Sequence, residues 1–125
     1  MLGYIMVGTN DLERAGKFYD RLLGELGAKR DMESDDFIVW NMGEGKTSFS
    51  IAKPYDGNPA TVGNGSMMAF YVSSPDQVDK MHALALKIGA TNEGAPGKRD
   101  YDEHFYAGYF RDLDGNKMNF FYYPL

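Results

Sequence analysis

The sequence predicts an α+β fold made of two similar halves, each consisting of a strand, a helix and a β-hairpin. Apolar residues at helical spacing indicate one helix over Leu12–Ala28 and a second over Asp76–Ala90. Both helices end in a Gly-Ala pair, where Gly27 and Gly89 supply the positive φ angle that stops a helix. Each helix follows a strand-like run and precedes two strands joined by a tight turn. We therefore expect an internal duplication around a shared cleft.

The first half begins with a short apolar strand, Tyr4–Gly8. Asn10 is a suitable N-cap for the helix, and Glu13 is the acidic residue three positions later that completes a capping box. After the helix, alternating apolar residues predict strands over Phe37–Met42 and Thr47–Ala52, with a Gly-rich turn between them. The first half is therefore a strand, a capped helix and a hairpin.

The second half repeats this order after a segment rich in Gly, Pro and Asn. That segment, residues 54–65, is interpreted as a linker between module one (1–53) and module two (66–125) of a single domain. Met67–Val72 is the next predicted strand. Ser74 as N-cap, followed by proline at the first helical position, is a strong helix start.

The end of the second half is predicted to be a loop followed by a hairpin. Glu93–Glu103 combines glycine, proline and many charged residues, so we expect a loop there. Phe105–Arg111 and Lys117–Tyr123 read as strands, and Asp112–Asn116 supplies the turn between them.

Composition excludes several classes of protein. A chain of 125 residues with 43% hydrophobic residues is expected to form one globular domain. Its net charge of −5 and its lack of a basic tract argue against a nucleic-acid partner. It has no cysteine, no apolar run long enough for a membrane span, and no basic, apolar secretion signal at its start. We expect no membrane association and a cytoplasmic location.

Two motifs then point to a known family. The first is Asn10–Ala15 followed by Phe18-Tyr19, and the second is Phe110–Asn116, where the family more usually has Asp-Pro-Asp-Gly-Asn. Together they resemble the vicinal oxygen chelate superfamily, which includes glyoxalase I, bleomycin-resistance proteins and extradiol dioxygenases. The resemblance covers nearly the whole chain. It implies two tandem βαβββ modules that form a curved mixed sheet around a cleft, and it implies a homodimer.

The resemblance also implies where a divalent metal would bind. The ligand positions of the family correspond to Tyr4, Ser48, Met67 and Asn119 in this sequence. Catalytic sites bind Zn²⁺, Fe²⁺ or Ni²⁺ through imidazole, carboxylate or thiolate groups, and none of these four side chains offers one. We therefore expect no metal and no other cofactor.

Strand alternation, placed on the implied fold, assigns the side chains that face the cleft. An apolar, adaptable lining with a few polar groups suits a small apolar molecule, and the net charge of −5 would favour a cationic one. Trp40 could instead be a core or dimer residue, and the whole cleft could be filled. Arg99 could hold an anionic group of a substrate. The candidate ligand-binding residues are Tyr4, Met6, Trp40, Met67, Arg99, Asn119 and Phe121.

Two other hypotheses stay open beside small-molecule binding. His104 follows Glu103, and a histidine beside a carboxylate can act in acid–base catalysis near neutral pH. These are the candidate catalytic residues of a lyase or dioxygenase-type enzyme, which could alternatively use a displaced metal site. His82, at the border of the second helix's apolar stripe, is expected to have no role. The third hypothesis is a non-catalytic interaction domain.

Overall fold

The computed structural model describes residues 1–124, and the chain divides into two compact units. The first comprises Met1–Thr61 and the second begins at Val62, within the segment that we interpreted as a linker. Each unit contains one helix and four strands in the order βαβββ, which confirms the predicted α+β duplication. No helix in residues 1–124 is long and apolar enough to cross a membrane.

The first unit consists of β1 (Tyr4–Gly8), α1 (Leu12–Gly24), β2 (Lys29–Glu33), β3 (Phe37–Asn41) and β4 (Ser48–Ala52). Its strands form one sheet in the order β1-β4-β3-β2. Strand β1 runs parallel to β4, and the other two pairs are antiparallel. The helix therefore provides the crossover that a parallel pair requires.

The second unit consists of β5 (Met68–Tyr71), α2 (Pro75–Lys87), β6 (Thr91–Arg99), β7 (Asp102–Arg111) and β8 (Lys117–Tyr122). Its sheet has the equivalent order, β5-β8-β7-β6, with β5 parallel to β8. The same topology in both units places β1 and β5 at equivalent edges of their sheets.

Each helix covers one face of its own sheet and forms a core there. Under α1, the ring of Tyr19 lies 4.7 Å from that of Phe49 and 5.7 Å from that of Trp40, measured between centroids. Under α2, Phe110 and Phe120 stack with their ring centroids 5.5 Å apart. All five rings are buried. Because strand side chains alternate, the remaining side chains of each sheet lie on the face that its own helix leaves uncovered.

The first helix differs from the prediction at both ends. Its N-cap is Asp11, whose carboxylate accepts from the backbone N–H of Arg14 at 3.1 Å, and the prediction of Asn10 was wrong. Both residue types cap well, but the Asn10 amide is occupied with the backbone of Ala60, which it bonds in both directions. The helix ends at Gly24, and a turn continues to Gly27, which has the expected positive φ of 87°.

The second helix begins as predicted. Ser74 is its N-cap, and the Ser74 hydroxyl accepts from the backbone N–H of Gln77 at 3.1 Å. The Gln77 side chain accepts in turn from the backbone N–H of Ser73 at 2.8 Å. These reciprocal bonds satisfy N–H groups that a helix start leaves without partners.

The loop predicted over Glu93–Glu103 is wrong, because most of it belongs to strands β6 and β7. Strand β6 is an edge strand whose pairing with β7 shifts register three times, around Gly94, Gly97 and Arg99. Edge strands and bulges tolerate the glycine and proline that suggested a loop. Strand β2, which is mostly charged and lies at the surface, was not predicted either.

Candidate functional site

The candidate site lies on the face of the second sheet opposite α2, and we call this face the open face. Tyr106 of β7 points the other way, since its hydroxyl donates to Asp79 of α2 at 2.6 Å. Its neighbours at odd positions, Phe105 and Tyr109, therefore lie on the open face. Strand register places Tyr109 directly opposite Asn119 of β8.

Four aromatic rings form a continuous row across this face, and we call them the aromatic row. Tyr71 of β5 meets Phe121 of β8 edge-to-face with centroids 5.5 Å apart. Phe121 stacks on Phe105 of β7 at 5.7 Å, and Phe105 lies 5.6 Å from Tyr101. Tyr71 is 47% exposed and Tyr101 is 72% exposed. Phe105 and Phe121 between them are half-buried. A row of rings with exposed ends is typical of a surface that binds another molecule.

Two cations lie beside the aromatic row, over the ring of Tyr109. The guanidinium carbon of Arg99 is 5.0 Å from the ring centroid, and the Lys117 ammonium is 5.6 Å from it. Both distances are within the range of cation–π attraction. Arg99 also donates to the carbonyl oxygens of Gly97 and Ala95, each at 3.0 Å, so its head group is fixed to β6.

The hydroxyl groups of Tyr101 and Tyr109 lie 3.3 Å apart and connect the aromatic row to the two cations. This hydrogen bond is the main reason that the pKa of the Tyr101 phenol is raised above its ordinary value, and partial burial of the phenol is the second. The phenol is therefore neutral at physiological pH, and it can act as a hydrogen-bond donor.

Asn119 lies between Phe121 of the aromatic row and the cation Lys117 along β8, and its amide oxygen is unsatisfied. The residue is 1% exposed, and its Oδ1 atom is buried with no hydrogen-bond partner among the described residues. Alternation along β8 places Lys117 on one side of it and Phe121 on the other. A buried acceptor without a donor costs about 1–3 kcal/mol, and such an atom calls for an explanation.

His82 positions the strand that carries Tyr109. Its Nε2 atom lies 3.0 Å from the carbonyl oxygen of Tyr109 and 3.1 Å from Oδ1 of Asn92. Both partners are acceptors, because Asn92 Oδ1 also receives the backbone N–H of Gly94, so Nε2 carries the proton. We expected no role for this histidine, whereas the structure places it as a buried link between α2, β6 and β7.

The candidate residues Tyr4 and Met6 belong to the first unit. Tyr4 pairs with Ser48, and Met6 pairs with Ser50, across β1 and β4. Both Tyr4 and Met6 are exposed. Met6 also lines an open groove of about 1020 Å³. Other lining residues of the groove are Gly8, Phe37, Pro54, Tyr55 and Pro59.

Trp40 does not line that groove. It is 1% exposed, packs against Tyr19 of α1, and donates its indole N–H to Asp20 at 3.0 Å. Trp40 is therefore a core residue, as one of the alternatives predicted, and the prediction that it lines a ligand-binding cleft was wrong. Its register shows why, since Trp40 pairs with Phe49 and shares the helix-covered face.

The residues at the implied metal positions do not fit a metal. Tyr4 and Ser48 of the first unit supply a phenol and a hydroxyl, while Met67 and Asn119 of the second supply a thioether and an amide. Within residues 1–124, no three His, Asp or Glu side chains come together in a way that could hold an ion. The donor set lacks the anionic and imidazole ligands of a catalytic transition-metal site.

Glu103 and His104 are adjacent residues of β7 whose side chains meet in solvent. His104 Nε2 lies 3.4 Å from a Glu103 carboxylate oxygen, and the two side chains are 61% and 81% exposed. The backbone N–H of His104 donates to Asp102 at 2.8 Å. Water therefore has access to both side chains.

Sequence reasoning placed Asn119, Phe121 and Arg99 in the site, and the structure brings all three to the open face. It missed Tyr109 and Phe105, although alternation along β7 relative to β8 would have found them. Met67 precedes β5 and is exposed.

Two βαβββ units with a helix on one face of each sheet define a duplicated α+β class of protein. This chain belongs to the Glyoxalase/Bleomycin resistance protein/Dioxygenase superfamily, whose sequence model matches residues 1–120. The sequence is 41% identical to that of a glyoxalase/bleomycin resistance protein from Albidiferax ferrireducens T118, whose crystal structure is known. The match covers 99% of each chain, and the two structures superpose with a TM-score of 0.88.

More distant solved structures share the fold. A glyoxalase/bleomycin resistance protein/dioxygenase family enzyme from Burkholderia phytofirmans PsJN is 20% identical over 98% of each chain, with a TM-score of 0.78. Lactoylglutathione lyase from Agrobacterium tumefaciens is 16% identical over 98% of this chain and 92% of its own, with a TM-score of 0.73. A search of curated protein sequences gives no match.

Proposed function

We propose that the protein binds a small, largely aromatic molecule on the open face of its second sheet, without a metal. The observation that carries this proposal is the partly exposed aromatic row, which runs beside the buried and unsatisfied Asn119. Aromatic pairs contribute about 0.5–1.5 kcal/mol beyond the burial of their area. A flat ligand that lies along several rings would therefore gain affinity from each contact.

The side chains at the implied metal positions support binding over metal-dependent catalysis. A metal that activates a substrate needs ligands that hold it, and Tyr4, Ser48, Met67 and Asn119 are poor ones. The relatives named above include both resistance proteins and enzymes. For this chain, the donor set favours a binding role.

Acid–base catalysis by His104 and Glu103 is the second candidate function. The 3.4 Å contact between the two side chains supports it, while their exposure weakens it, since a catalytic proton transfer gains from a site that excludes water. If turnover of a substrate is found, an unchanged rate for His104→Ala would rule this candidate out.

The binding proposal can be tested by thermal unfolding in the presence of aromatic compounds. We expect members of an aromatic panel to raise the Tm by an amount that grows with the logarithm of ligand concentration above Kd, equally with and without EDTA. Added Zn²⁺, Ni²⁺ or Fe²⁺ should give no further shift with these ligands. Stabilisation that disappears in EDTA, or a panel that produces no shift at all, would contradict the proposal.

We also propose that the protein forms a homodimer. Strands β1 and β5 are edge strands of their sheets, and they carry exposed apolar side chains at Tyr4, Met6 and Tyr71. Unpaired strand edges with apolar side chains tend to associate. Light scattering coupled to size exclusion should give twice the 14.0 kDa mass of the chain, and a monomer at high concentration would contradict this proposal.

A further inference from the structure

We propose that the ligand of the open face is an aromatic carboxylate whose ring also carries a hydrogen-bond donor. This inference rests on the proposed binding function and specifies the class of ligand. Three subsites on one face lead to it: the aromatic row, the unsatisfied amide oxygen of Asn119, and the cations Arg99 and Lys117.

The two cations lack acidic partners. Neither Arg99 nor Lys117 forms an ion pair with any described residue, whereas the neighbouring Arg111 is paired with Glu93 at 3.1 Å. The three hydrogen bonds of Arg99 to the carbonyl oxygens of Ala95, Gly97 and Lys98 leave at least two of its five N–H groups for a ligand. An arginine fixed in this way is well suited to a carboxylate, which it can bind through two parallel hydrogen bonds.

The local charge is opposite to the charge of the whole chain. The net charge of −5 suggested a cationic ligand, but the open face presents two uncompensated positive groups beside the rings. A cation on the aromatic row would be repelled by both of them, while an anion would be attracted. The charge of the ligand follows from the groups that would touch it.

The spacing of the subsites matches one substituted ring. Lys117, Asn119 and Phe121 follow one another on the same face of β8, and two residues of a strand span roughly 7 Å. The Lys117 ammonium lies over Tyr109, which is the cross-strand neighbour of Asn119, so the positive charge is displaced toward the middle of the face. A single ring stacked near Phe121 could therefore reach the cations with its carboxylate.

Asn119 explains why the ring should also carry a donor. Its Oδ1 atom accepts no hydrogen bond within the described chain. Lys117, two positions before it on the same face of β8, has a flexible stem that a ligand can displace. A hydroxyl or amino group on the ligand would supply the missing hydrogen bond. It would remove the cost of the unsatisfied acceptor on binding.

The test is calorimetric titration of the full chain with hydroxybenzoates and aminobenzoates, hydroxynaphthoates, and the matching neutral alcohols and amines. We expect at least one carboxylate to bind roughly tenfold or more tightly than its alcohol. Lys117→Gln and Arg99→Gln should each reduce that preference, while the control Lys98→Gln, an exposed neighbour on β6, should retain it. The carboxylate should bind more weakly as ionic strength rises, which requires no variant.

The outcomes separate this inference from the proposed function. Equal binding of carboxylates and alcohols would overturn the inference and leave the binding function intact. Binding of amines alone would overturn it as well. If no aromatic compound binds, both proposals fail. A carboxylate preference that survives both Lys117→Gln and Arg99→Gln would contradict the assigned site. Asn119→Leu should abolish the advantage of a hydroxybenzoate over benzoate, and an unchanged advantage would exclude Asn119 as the acceptor.

Discussion

Trp40 donates its indole N–H to the carboxylate of Asp20, with 3.0 Å between Nε1 and Oδ1. The same carboxylate receives two N–H groups of Arg30, each at 2.8 Å. A residue on the exposed side of α1 thus satisfies the polar atom of a ring that is 1% exposed. This link joins helix α1 to strands β2 and β3, on the face that forms the core of the first unit.

Removing this carboxylate should destabilise the protein. Asp20→Ala leaves the buried Trp40 N–H without an acceptor, and we expect the free energy of unfolding to fall by about 1–3 kcal/mol. Urea denaturation followed by Trp40 fluorescence measures the change. Asp35→Ala, which alters an exposed carboxylate in the loop between β2 and β3, is the matched control and should shift the midpoint little. Equal effects of the two substitutions would contradict the role of Asp20.

The pH dependence of stability should report the same carboxylate. Burial alone would raise the pKa of Asp20, but hydrogen bonds from Arg30 and Trp40 outweigh burial and hold the pKa below its ordinary value. The folded state therefore binds this proton less readily than the unfolded state, whose aspartate pKa is about 3.9. The stabilisation is present above that value and is lost as the pH falls through the lower, folded pKa.

We expect the Tm of the wild-type protein to fall more steeply than that of Asp20→Asn as the pH is lowered from about 5 into the acid range. The neutral amide cannot lose a charge, so the variant lacks this component of the slope. Parallel Tm curves for the two proteins would show that Asp20 does not contribute. The comparison needs the same buffer ionic strength throughout, because salt screens exposed pairs.

Two glycines of α1 should respond in opposite ways to alanine. Gly24 has open space where a Cβ would lie, so Gly24→Ala should stabilise the helix by roughly 0.4–1 kcal/mol. At Gly16, the new Cβ would lie 2.8 Å from Ile38 Cδ1 and 2.9 Å from Arg30 Nη2. Displacing Arg30 would disturb its bonds to Asp20, so Gly16→Ala should gain nothing or lose stability. Denaturation midpoints test this pair, and equal gains would show that the contact at Gly16 is easily relieved.

The two histidines of the chain provide another matched pair. His82 is buried, bonds the carbonyl oxygen of Tyr109 and lies against Gly108, so His82→Ala should cost about 1–3 kcal/mol. His104 is exposed, and His104→Ala should change stability by less than about 0.5 kcal/mol. Chemical denaturation at neutral pH measures both. A small effect at His82 would mean that β7 is held without this link.

The duplicated fold was predictable because its signals are local. The N-cap at Ser74, the glycine stops at Gly27 and Gly89, and the helical spacing of apolar residues all act over a few positions. Strands β2 and β6 were missed for the opposite reason. Their residues are charged or glycine-rich and gain strand structure by pairing with β3 and β7, which no short window of sequence records.

The candidate site was predictable one strand at a time but not across strands. Alternation placed Asn119 and Phe121 on one face of β8, and the structure agrees. The contacts that give this face its character join different strands: Phe121 with Phe105, and Arg99 with Tyr109. They depend on register, and the bulges of β6 set the register of Arg99. The negative net charge of the whole chain therefore did not indicate the two positive groups on the open face.

Removing one ring of the aromatic row should weaken ligand binding without unfolding the protein. Phe121 contacts both Tyr71 and Phe105, so Phe121→Ala removes the centre of the row, and we expect Kd for the best aromatic ligand to rise roughly threefold to tenfold. Tyr55→Ala is the control, since Tyr55 is an exposed aromatic residue of the first unit outside the open face. Calorimetric titration of both variants, after circular dichroism has shown that they are folded, measures the change. If Tyr55→Ala weakens binding and Phe121→Ala does not, the ligand lies on the first unit, where the groove beside Met6 and Phe37 would be the alternative site.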